Sequence, residues 1–91
     1  MKPQQAYYKC NGKINKDLEP YFIKDPHYAY LYARLIIKDR WIEAEPYIII
    51  DSRYAYRYAK YVINGKLPEN MHNAMLIHAD DHAKEYFDLI K

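Results

Sequence analysis

The segment 19–44 is followed directly by a second version of itself, 45–70. Glu19, Pro20, Tyr21, Ile23, Asp25, Tyr28, Ala29, Tyr30, Tyr32, Ala33, Ile37 and Glu43 recur as Glu45, Pro46, Tyr47, Ile49, Asp51, Tyr54, Ala55, Tyr56, Tyr58, Ala59, Ile63 and Glu69, so twelve of 26 positions are identical. A tandem repeat of this length constrains architecture before anything else. Each copy must form one supersecondary unit, and a unit this small buries its apolar face only against the next.

The core of each copy, Asp25–Ile37 and Asp51–Ile63, reads as a helix. Asp25 is a good N-cap and Pro26 stands at the first helical position, where its missing N–H costs nothing. Asp51 and Ser52 open the second copy in the same way. That copy ends at Ile63-Asn64-Gly65, with Gly65 expected at the left-handed C-cap and Asp39 in its place in the first copy. At 100° per residue, Tyr28, Ala29, Tyr30, Tyr32, Ala33, Ile36 and Ile37 sweep about 200° of the surface, which suits a helix touched from two sides. Ala29/Ala33 and Ala55/Ala59 lie mid-arc, where small residues four apart admit another helix. The tyrosines flank them, with rings expected inward and hydroxyls reaching the rim.

The reading is all-α: a single domain, 1–91, built as a short array of helical hairpins of about 26 residues. Residues 1–16 form a partial leading repeat, 17–42 the first repeat, 43–70 the second, and 71–91 a degenerate C-terminal cap. Helices are expected near 26–38, 52–64 and 81–90, with shorter ones near 18–24, 43–50 and 68–77. Residues 1–5 are expected to be loose. Asn11-Gly12-Lys13 echoes Asn64-Gly65-Lys66, so Gly12 is expected to cap the leading fragment. Asp80 caps the last helix, in which Ala83 and Tyr86 stand for Ala55 and Tyr58. An apolar share of 51% excludes wholesale disorder. The single Cys10 forms no internal disulfide and points to a reducing, cytoplasmic setting. No apolar run is expected to cross a membrane.

The pattern Asp-Pro-x-Tyr-Ala-Tyr-x-Tyr-Ala, then an aliphatic pair, then Glu-Ala-Glu-Pro is carried here by Asp25, Pro26, Tyr28, Ala29, Tyr30, Tyr32, Ala33, Arg40, Trp41, Glu43, Ala44, Glu45 and Pro46. It resembles short repeats in uncharacterised proteins of large tailed bacteriophages and some bacteria. The resemblance covers roughly 17–70 and departs at Asp39 and Ile42, where glycine and proline are expected, and again after Asn70. It implies a phage origin and brings no catalytic residues. Short phage proteins often bind host machinery, so the resemblance also implies, by analogy, a binder working in the host cytoplasm.

The residues themselves offer no catalytic constellation. His78 and His82 stand four apart near Asp81 and Glu85, but an N-cap at Asp80 separates them, so no metal site is expected. His72 and His27 read as rim residues, Cys10 as a small buried hydrophobe and Trp41 as a gap-filler between helices. There is no phosphate loop, nucleophile elbow or paired-carboxylate motif, so no enzyme activity, cofactor or metal is expected.

One pattern is less bland. Opposite the alanines, the first copy carries His27, Leu31, Arg34 and Lys38, and the second Arg53, Arg57, Lys60 and Asn64. The acids sit elsewhere, at Asp17, Glu19, Glu43, Glu45 and Glu69, although the net charge is only +2. An ordinary solvated face has this polarity too. The functional reading is a docking stripe of Arg34, Lys38, Arg53, Arg57 and Lys60, with Tyr61 and Leu35 as apolar contacts. Its expected partner is a host protein with an acidic surface, for example an antiviral-defence protein inhibited by occlusion. The same stripe suits nucleic-acid phosphates. A third reading is a self-assembling structural protein; an uncovered N-terminal end of the array predicts a homodimer.

Overall fold

The computed structural model describes the whole of Met1–Lys91 and contains helices and turns without a strand. Its six α-helices are α1 (Pro3–Lys9), α2 (Pro26–Leu31), α3 (Glu45–Ile48), α4 (Ser52–Tyr58), α5 (Glu69–His78) and α6 (Asp81–Leu89). The body is elongated, 37 × 20 × 18 Å. Along it α1 packs on α2, α2 on α4 and α4 on α6, while α3 sits against α2 and α4, and α5 against α4 and α6. No helix is long and apolar enough to cross a membrane.

Local chemistry explains where the helices start. The Asp25 carboxylate accepts the His27 and Tyr28 N–H groups, Asp51 accepts that of Arg53, and Asp80 that of Ala83. Each satisfies donors that a helix N-terminus otherwise leaves orphaned. Ala29, Ala33, Ala55 and Ala59 are all fully buried, as expected of a close helix contact, and Trp41 fills space beside Phe22 and Tyr32. Cys10 is buried, with its thiol donating to the Ala6 carbonyl. Loss of water pushes that thiol above its usual range, and the nearby Glu19 adds to the shift.

Six expectations need correction. The segment expected to be helical near 18–24 is only a 3-10 turn, Glu19–Tyr21, since Leu18 brings no capping side chain and Asp25 already opens the next helix four residues after Tyr21. Residues 1–5 are not loose, since α1 begins at Pro3 and the Lys2 N–H is held by the Gln5 side chain. The long helices do not keep the 100° spacing. Both widen into π turns, Tyr32–Ile37 and Ala59–Ile63. In a π turn each N–H reaches five residues back, so later positions lag the ideal wheel.

The widened turns move the left-handed caps one residue upstream of Asp39 and Gly65, to Lys38 (φ 62°) and Asn64 (φ 63°). Asn tolerates this backbone well; lysine accepts some strain there. The fifth correction concerns the tyrosines and acids. The hydroxyls of Tyr32 and Tyr58 do not reach the rim but end on internal partners. Tyr58 donates to Glu45 at 2.7 Å and accepts the Trp41 N–H at 2.9 Å. Tyr32 donates to Glu19 at 2.8 Å and accepts the Asn15 N–H at 2.9 Å.

Glu45 therefore does not belong to a solvated acidic set. It is buried, and Arg40 clamps it with two hydrogen bonds of 2.9 Å. Burial and the Glu45 carboxylate both push the Tyr58 phenol up, so it stays a donor across neutral pH. Tyr86 repeats the device in the C-terminal segment. Its hydroxyl accepts the Leu67 N–H at 3.0 Å and is hydrogen-bonded to His72 Nδ1 at 2.8 Å. His72 is thus a half-buried hydrogen-bond partner of a tyrosine hydroxyl, in the place the glutamates take in the other two, and not a rim residue.

Candidate partner-binding face

On an α-helix, residues three or four apart share a face. That spacing pairs Tyr30 with Arg34, Tyr54 with Arg57 and Tyr56 with Lys60. All three pairs form. An Arg34 Nη1–H donates to the Tyr30 hydroxyl at 2.9 Å. The Arg57 guanidinium lies 5.5 Å from the Tyr54 ring centre, and that of Arg53 lies 5.4 Å from it. The Lys60 ammonium lies 5.9 Å from the Tyr56 ring and 5.4 Å from that of Tyr61. The Tyr56 and Tyr61 hydroxyls hold the Lys60 ammonium above its usual range.

The helices then join these pairs into one surface. Arg34, from the turn after α2, stacks at 4.0 Å over Tyr61, from the turn after α4. His27 of α2 stacks on Tyr54 of α4 at 5.1 Å, and Tyr30 lies 6.0 Å from the same ring. Two tyrosines thus bridge the seam between the helices and hold guanidinium groups on it.

Of the residues expected on the stripe, Arg34, Arg53, Arg57, Lys60 and Tyr61 belong to this assembly and are exposed. Lys38 is exposed too, but it ends the first long helix and stacks on none of these rings. Leu35 is 52% exposed beside them. Sequence reasoning missed Tyr54, Tyr56 and Tyr30 as members and had His27 on the arc only as a rim residue. The helical spacing of tyrosine to cation held the signal for the first three; the His27 contact crosses between helices and left none.

None of the stripe's five cations forms an ion pair. The chain's ion pairs are Arg40–Glu45 and Lys91–Asp88. Nor is the face concave: the molecule has three grooves, and none is lined by Arg34, Arg53, Arg57, Lys60 or Tyr61. Exposed apolar side chains are not confined to the N-terminal end, where Tyr8 and Ile14 stand. Leu76 and Ile77, late in α5, are 58% and 85% exposed. His78 and His82 lie on different helices, and His78 Nε2–H donates to the Ile49 carbonyl at 2.7 Å.

No family model, curated protein or solved structure matches the chain.

Proposed function

We propose that this chain is a non-catalytic binding protein that docks an acidic protein surface on the face formed by α2, α4 and their π turns. The observation that carries this is the set of cations without carboxylate partners, four of them resting on tyrosine rings. A guanidinium held on a ring has little rotamer freedom left to lose, so less entropy opposes its capture of a carboxylate. A flat face suits a macromolecule better than a small ligand. An acidic protein is favoured over single-stranded nucleic acid because base stacking needs open aromatic faces. Here Tyr61 and Tyr54 already carry the chain's own cations. In line with the resemblance to phage repeats, the proposed partner is a host protein, and the proposed effect is occlusion of its surface.

The test compares a glutamate-rich peptide with single-stranded oligothymidine in fluorescence anisotropy across a salt series. The reading expects the peptide to bind and the loss to concentrate at Arg57→Ala and Tyr61→Ala, since hot spots favour arginine and tyrosine. Equal losses at every basic residue, with a steep salt dependence and preference for the oligonucleotide, would point to phosphate binding instead. If replacing Arg34, Lys38, Arg53, Arg57 and Lys60 together with alanine left binding intact, the face would be solvated surface and nothing more.

A further inference from the structure

The two larger grooves of the molecule are one groove, repeated. The first, about 520 Å³, is lined by Glu19, Pro20 and Ile23. The second, about 500 Å³, is lined by their counterparts 26 residues on, Glu45, Pro46 and Ile49. In both, the glutamate accepts a hydrogen bond from a buried tyrosine that also receives a backbone N–H. The grooves differ at one position that matters. In the second, Arg40 precedes the residue that supplies the backbone N–H, and its guanidinium grips both oxygens of Glu45. In the first, that place is taken by Ile14, which cannot reach a carboxylate and stands 58% exposed. Glu19 consequently forms no ion pair and is only partly covered, whereas Glu45 is buried.

We infer that the groove at Glu19 receives an arginine side chain from a partner polypeptide, in the way the groove at Glu45 receives Arg40. The chain itself shows the recognition chemistry. Glu45 is met by the Nε–H and an Nη2–H, the paired fork that arginine presents and lysine lacks. Glu19 offers Oε1 without a partner, while Oε2 is oriented by Tyr32. Pro20, Ile23 and Trp41 supply an apolar wall for the methylene stem. The charged groups around the groove are Glu19 and Glu43 against Lys16 and Arg40, and Arg40 is already neutralised by Glu45. A cation is therefore not repelled. The groove shares no residue with the basic face, so this site is independent of the acidic partner proposed above.

The test uses the full chain labelled with 15N and the blocked tripeptide Gly-Arg-Gly, with lysine and citrulline versions as controls. Saturable shifts of the Asn15 and Glu19 amides are expected with the arginine peptide alone. Ile14→Arg supplies the guanidinium from within the chain. It should weaken peptide binding by about tenfold or more, the scale of losing a charge-assisted hydrogen-bond pair, and raise the thermal midpoint. Glu19→Gln should weaken binding similarly. If that variant misfolds by circular dichroism, Ile14→Arg carries the test, because its position is exposed. Arg57→Ala should bind the arginine peptide unchanged while losing the glutamate-rich peptide, which separates the two sites. The inference is overturned if no shift saturates, if lysine or citrulline matches arginine, or if Ile14→Arg binds as tightly as the unmodified chain.

Discussion

Tyr58→Phe removes one oxygen atom and leaves the ring that packs the centre of the molecule. It therefore isolates the hydroxyl. That hydroxyl is fully buried and answers two groups, the Trp41 N–H at 2.9 Å and the Glu45 carboxylate at 2.7 Å. Without it the Trp41 N–H is an orphaned buried donor, which costs roughly 1–3 kcal/mol. Glu45 loses a charge-assisted hydrogen bond but keeps Arg40, so only part of a further 1.5–3 kcal/mol, roughly, is added. The expected cost is about 2–4 kcal/mol. Tyr32→Phe is the internal control, since it breaks the same pair of bonds to Asn15 and Glu19. Glu19 is only partly covered, so water can replace the lost donor, and the expected cost is about 1–2 kcal/mol. At about 4–8 °C per kcal/mol for a chain of this size, Tyr58→Phe should lower the midpoint by roughly 8–32 °C. Urea and thermal unfolding followed by circular dichroism measure both variants. A cost for Tyr58→Phe no greater than for Tyr32→Phe would refute the argument, because the Tyr58 network is buried and the Tyr32 network only partly so.

Ala33→Leu and Ala59→Leu each add a branched side chain at a site with no exposed area; overpacking should cost about 1–3 kcal/mol, and neutrality of both to thermal unfolding would show that the seam lies elsewhere. Asp80 is held below the usual carboxylate range, first by the Ser52 hydroxyl and then by the Ala83 N–H. Its folded pKa is thus depressed, so its contribution is complete above about pH 4 and is lost as pH falls through the folded value. Ser52→Ala should therefore narrow its stability deficit against the parent chain on going from neutral pH into that acid window, read as urea midpoints; a deficit that stays constant with pH would remove Asp80 from the account.

The starts of the helices were legible because capping is local: an aspartate two or three residues before the donor it serves leaves its mark in a short window of sequence. The alanine seam was legible for a similar reason, since two small residues four apart mark one stripe. The tyrosine hydroxyls were not. Tyr32 and Tyr58 meet carboxylates 13 residues upstream across a turn, and nothing within one helix reports such a contact. The identical spacing of Glu19 to Tyr32 and Glu45 to Tyr58 was present in the repeat, but polar pairs at that distance also occur on surfaces. The left-handed caps at Lys38 and Asn64 were missed by one residue because a regular helix was assumed where the chain widens into a π turn. On the binding face, the cations were visible as a stripe, while the rings that hold them looked like core. A tyrosine with an apolar body and a polar tip serves both roles, and sequence alone does not divide them.

What the two copies keep and what they change bears on the proposed function. The identical positions Glu19/Glu45, Asp25/Asp51, Ala29/Ala55, Tyr32/Tyr58 and Ala33/Ala59 make the caps, the seam and the hydroxyl networks. These positions answer to packing, and a change in one copy damages that copy. Among the positions that differ are His27/Arg53, Leu31/Arg57, Arg34/Lys60 and Leu35/Tyr61, and, upstream of the aligned segment, Ile14/Arg40. Four of these pairs place the second copy's cations and ring on the α2–α4 face. The fifth leaves one glutamate clamped and the other open. Leu31 still packs against the core while Arg57 is exposed, so the basic face belongs mainly to the second copy, with Arg34 reaching across from the first. Duplication of one sequence segment followed by change on the exposed face would produce this distribution, and the buried pairs Phe22/Ile48 and Trp41/Leu67 changed as well. It places the proposed acidic-partner site on the copy that gained cations and the proposed arginine site on the copy that lacks one.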